Sequence, residues 1–104
     1  MSVTVTPADR AAAHDKIAAA NLGRALELAT RYIDADDQAP AVRDAAWTIR
    51  LLLVGATTDS RIGSAAARSR VRVGLRVLLH ADEYGRPARA VFRRTMNALD
   101  GKVE

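Results

Sequence analysis

Few side chains in this sequence could do chemistry, and their spacing argues against most of it. There are two histidines, His14 and His80, and no cysteine. A zinc site needs three or four nitrogen, sulfur or carboxylate ligands. His80 and Glu83 lie at i and i+3 on one expected helix and supply only two, so neither a metal nor another cofactor is expected. Gly55-Ala56-Thr57-Thr58 lacks the lysine and the spacing of a phosphate loop. Nothing positions a histidine base beside a serine, as nucleophilic catalysis requires. No catalytic residue is assigned, and the chain is read as a non-enzyme.

The arginines remain. They make up 14 of the 16 basic residues, against 12 acids, for a net charge of +4. Residues 1–58 carry six basic and seven acidic side chains, while residues 59–104 carry ten and five. Read as helix, Arg61, Arg68, Arg72 and Arg76 share a stripe at intervals of seven, four and four. Arg86, Arg89, Arg93 and Arg94 follow on the last helix. Such a surface suits phosphate backbones, because guanidinium groups are permanently charged and bidentate. It suits an acidic protein surface equally, and it could be a solvated face. Tyr84 and Phe92 are the only aromatics nearby, and Phe92 reads as core, so base stacking gains little support. Residues 59–75 have the outline of a helix-turn-helix, but the interval leaves little room for the turn between two helices.

Composition bounds the elements that position these residues. At 104 residues one domain is expected, spanning 1–104. Large apolar residues number 29 and alanine alone 22, which favours helices packed through small side chains. Aromatics are only 4%, and a core so thin often gains stability from self-association, so a homodimer is expected. The longest apolar run, Leu51 to Ala56, is far short of the roughly 20 residues of a membrane span. The first residues lack the pattern of a signal peptide. A cytoplasmic protein with no membrane partner is expected, and the arginine and alanine usage is that of a GC-rich genome.

The periodicity predicts an all-α fold, a small four-helix bundle over about 7–35, 38–54, 60–83 and 87–99, after an extended or disordered tail at 1–6. Thr6-Pro7-Ala8-Asp9 is a start signal for the first helix. Asp37 is the expected cap of the second, Asp59 or Ser60 of the third, and Gly85 a left-handed stop. The second helix turns apolar nearly all round at Trp47, Leu51, Leu52 and Val54, which places Trp47, Leu51 and Val54 in the core or at an interface. From Arg70 to Val77 polar and apolar residues alternate, a strand signal. With helical flanks and no strand to pair with, the segment is read as helix, any break falling near 68–70. No internal repeat is evident. The chain is expected to be an interaction or regulatory module, of the kind bacteria and phages encode, working through protein contacts with itself or a partner. The alternative is a nucleic-acid-binding domain using the arginines of 61–94. No small-molecule substrate is inferred.

Overall fold

The computed structural model describes residues 4–102, as four helices in a compact bundle with every pair in contact. They are α1 (Pro7–Asp34), α2 (Pro40–Thr57), α3 (Ser64–His80) and α4 (Arg86–Leu99). The molecule is 78% helical, with no strand among the described residues. Of the expected tail, residues 1–3 lie outside the described residues, and Thr6 is extended. The helices run alternately up and down. Leu52 of α2 meets Gly74 of α3, Arg72 of α3 meets Asp100 after α4, and Arg94 of α4 meets Tyr32 of α1.

Helix α1 begins where its start signal predicts. Asp9 N–H donates to Thr6 Oγ1 at 3.1 Å, and Thr6 N–H donates to Asp9 Oδ2 at 3.2 Å, a closed capping box. Helix α2 starts two residues later than expected, and Asp37 does not cap it. A residue before proline is pushed out of the helical region. Ala39 is accordingly extended (φ −60°, ψ 146°), and the helix opens at Pro40 with no side-chain cap.

Helix α3 departs furthest from the expected bounds of 60–83. Asp59 is held by arginines, so neither it nor Ser60 caps the helix, and Arg61 lies outside it. The N-cap is Gly63, and the missing cap arrives from α1: Ala65 N–H donates to Asp15 Oδ1 at 2.9 Å. A Cβ on Gly63 would sit 3.0 Å from Asp15 Oδ2, so a side chain there would push the carboxylate a few tenths of an ångström off its bond to Ala65 N–H. The helix is unbroken through 68–70, and with residues 59–75 forming one loop and one helix there is no helix-turn-helix. The alternation over 70–77 has a helical explanation. Val71 and Leu75 are buried, while Val73 and Val77 lie on a second, outward stripe. Gly85 (φ −77°) is the N-cap of α4 rather than a left-handed stop. The left-handed residue is Gly101 (φ 73°), where Gly101 N–H reaches Ala98 O and Lys102 N–H reaches Asn97 O, closing α4 as a Schellman motif.

The structure also shows a repeat that the sequence conceals. The hairpin α1–α2 maps onto α3–α4 at an offset of 46 residues. Burial coincides at 25 and 71, 29 and 75, 42 and 88, 45 and 91, 49 and 95, and 53 and 99, although only the last of these pairs, Leu53 and Leu99, is the same residue. Both connections are tied alike. Arg43 Nη2 donates to Ala35 O at 2.8 Å, and Arg89 Nη2 donates to Ala81 O at 3.4 Å, each reaching back to the C-cap of the preceding helix. The core is thin, as the composition implies. Nine of the nineteen buried apolar residues are alanine, and Phe92 is the one fully buried ring among the described residues.

The borrowed cap yields a prediction. Asp15→Ala should cost about 1 kcal/mol, the usual cost of losing an N-cap. Gly63→Ala should be destabilising in the native chain but nearly free on the Asp15→Ala background, because its obstacle is then gone. Urea unfolding of the two single variants and the double variant measures this coupling, and additive losses would refute it.

Candidate interaction surfaces

Trp47, Leu51 and Val54 are not in the core. They are 45%, 69% and 43% exposed, on the side of α2 turned away from the buried stripe Val42, Ala46, Ile49 and Leu53. Their spacing of four and three makes a seam along the helix. Beside it on α3 lie Val73 and Val77, 59% and 65% exposed. The two helices are close because Gly74 has no side chain: its Cβ position is 3.2 Å from a methyl of Leu52. Together α2 and α3 present one outward apolar face. A shallow cleft runs between them, lined by Leu51, Leu52, Gly55, Ala56, Arg70 and Val71. The Arg50 guanidinium lies 5.3 Å from the centre of the Trp47 ring, a cation–π contact at the rim.

The arginines divide. Arg68, Arg72 and Arg76 form a stripe on the α4 side of α3, and Arg86, Arg89 and Arg93 run along α4 beside it. Arg72 Nε lies 3.0 Å from Asp100 Oδ1, an ion pair without hydrogen-bond alignment, and Arg89 is tied to Ala81 O. Arg68, Arg76, Arg86 and Arg93 have no ion-pair partner among the described residues. Two of the eight candidate arginines do not join this face. Arg94 is on the other flank of α4, hydrogen-bonded to the Tyr32 hydroxyl with its guanidinium 5.5 Å from the ring centre. Arg61 sits in the α2–α3 loop, bound to Asp59.

Asp59 is the most heavily engaged acid among the described residues. Its Oδ1 accepts from the backbone N–H and the Nε of Arg61, both at 3.0 Å. Its Oδ2 accepts from Arg61 Nη2 at 3.1 Å and from Arg70 Nη1 at 3.0 Å. Arg70, absent from the expected stripe, is thus the residue that ties the loop to α3. The bonds from Arg61, then that from Arg70, hold the Asp59 carboxyl far below the usual carboxylate range. No group of three or more potential metal ligands occurs among the described residues, and none of their helices is long and apolar enough to cross a membrane.

The sign of the Asp59 effect is definite. A carboxyl whose folded pKa is depressed stabilises above its ordinary value, and the benefit fades as pH falls below it. The stability difference between the native chain and Asp59→Asn should be constant from about pH 8 to 5 and shrink below about pH 4. A difference that instead grew with acid, in denaturant titrations at each pH, would contradict the assignment. Comparison with protein-family profiles, with curated proteins and with solved structures finds no match to this chain.

Proposed function

We propose that this chain is a non-enzymatic contact module of the cytoplasm that docks protein on the apolar face of α2 and α3. One observation carries the reading, and the internal repeat supplies it. At an offset of 46 residues, Trp47, Leu51 and Val54 correspond to Arg93, Asn97 and Asp100, while Val73 and Val77 correspond to Glu27 and Arg31. The same five places in the same architecture are thus polar or charged on the opposite face. The bundle does not need apolar residues there. Large apolar side chains left in water at a surface that folding does not require mark a surface meant to be covered. Tryptophan is also among the residues most enriched at the energetic centres of interfaces.

A second reading has its own observation, the four arginines of α3 and α4 without counter-ions among the described residues. They fit a phosphate backbone approached along the groove between the two helices. Binding of this kind should weaken steeply from about 50 to 200 mM salt. Replacing Arg76 and Arg93 by glutamine should then flatten the slope of log affinity against log salt by roughly 1.4–1.8. Absence of binding to any duplex or single strand at about 50 mM salt would remove this reading.

The contact reading is tested by placing a photo-crosslinking residue at position 51 in the producing cell, with position 14 on the free end of α1 as control. Covalent protein adducts are expected from position 51 and not from 14. No adduct at all from position 51 would overturn the reading.

A further inference from the structure

The levels of the residues on the α2–α3 face restrict what can cover it. Gly74 abuts Leu52, so in this antiparallel pair Leu51 is level with residue 75. Val73 and Val77 lie two residues either side of 75. Trp47 and Val54 lie four residues before and three residues after Leu51. Both halves of the face are therefore centred at one height along the bundle. A twofold axis at that height would lay the face on its own copy, with residues above and below the axis exchanged, as in an isologous contact.

We propose that the occupant is a second copy of this chain, packed face to face and antiparallel about a twofold axis at the level of Leu51. This rests on the contact reading above and names its partner. The axis sets α2 against α2 and α3 against α3. Leu51 then meets its own counterpart, and Val73 lies opposite the partner's Val77. Trp47 falls on the partner's Gly55, where nothing stands within 4 Å of the absent Cβ and the indole can lie on bare backbone.

Charge selects this arrangement over its parallel counterpart. Asp44, exposed one seam-repeat before Leu51, comes level with the partner's Thr58. It is then beside the Asp59–Arg61–Arg70 cluster, which has two cations to one anion. A parallel twofold would instead pair α2 with α3 and bring Asp44 level with the partner's acidic Asp82 and Glu83. Opposite charges across the rim favour the first, and like charges oppose the second. Four turns of two adjacent helices offer a footprint of about 20 by 20 Å a side, smaller than a standard stable interface, so the dimer is expected to be weak, in the micromolar range or above. The antiparallel axis also brings the α3–α4 arginine faces of both copies to the same edge of the dimer.

The chain has no cysteine, so Leu51→Cys provides a single reporter on the axis. At tens of micromolar the native chain should scatter light as roughly twice 11.2 kDa. Leu51→Cys should oxidise to a disulfide dimer much faster than a His14→Cys control. Leu51→Lys should raise the dissociation constant roughly 100-fold or more while leaving the helical spectrum unchanged. Monomeric mass with no preferential disulfide overturns the dimer. Position-51 photo-adducts to a different protein would then still uphold the contact reading, and their absence would sink both. A dimer that forms mixed Leu51→Cys/Val77→Cys disulfides, but no Leu51→Cys self-disulfide, overturns the antiparallel axis.

Discussion

Alanine closes this bundle. With nine alanines among nineteen buried apolar residues, the helices meet backbone to backbone, and the remaining volume is filled by a handful of branched side chains and one ring. Phe92 takes that place, with Tyr84 against it edge-on at 5.0 Å. Interiors pack to crystal-like density, so a core cut to this size has no room for an indole. The chain carries more large apolar residues than the core accepts, and the excess is concentrated on one side of α2 and α3. The apolar face is thus the counterpart of a core kept so slender.

Polar contacts do the remaining structural work, and they use up much of the charge. Arg43 and Arg89 satisfy the ends of α1 and α3 from the helices that follow them. Asp15 caps α3 across the bundle, and Asp59 binds Arg61 and Arg70. Exposed ion pairs of this sort are individually worth little, but each one fixes the position of a connection. Of the arginines without an ion-pair partner among the described residues, Arg68, Arg76, Arg86 and Arg93 lie together on α3 and α4, while Arg10, Arg24 and Arg31 lie along α1.

The fold was legible because its signals are local. The capping box at Thr6, the prolines that open helices and the glycine that closes α4 each act within a turn of where they stand. What was not legible depends on partners distant in sequence. The start of α3 is set by a carboxylate 50 residues away, and nothing near Gly63 announces it. Trp47 could be read as core because periodicity records where apolar residues lie, not how much volume the interior offers. The arginine stripe was visible as a pattern, but its division into engaged and uncommitted members follows from Asp59, Asp100 and Tyr32, which belong to other elements. The hairpin repeat was hidden because burial is preserved along it while identity survives only at scattered places, such as Ala35 and Ala81 or Arg43 and Arg89.

The free end of α1 divides the molecule into two materials. From Pro7 to His14 every residue is exposed, so about 12 Å of helix runs past the bundle with only its capping box and four alanines to sustain it. This overhang contributes to a molecule 56 Å long and only 23 Å across. An isolated helix of two turns is marginal in water. The overhang is therefore sustained by its capping box and by continuity with the buried part of α1, and it is the end of that helix where opening costs least. The molecule's most prominent feature is thus the one with the fewest tertiary ties.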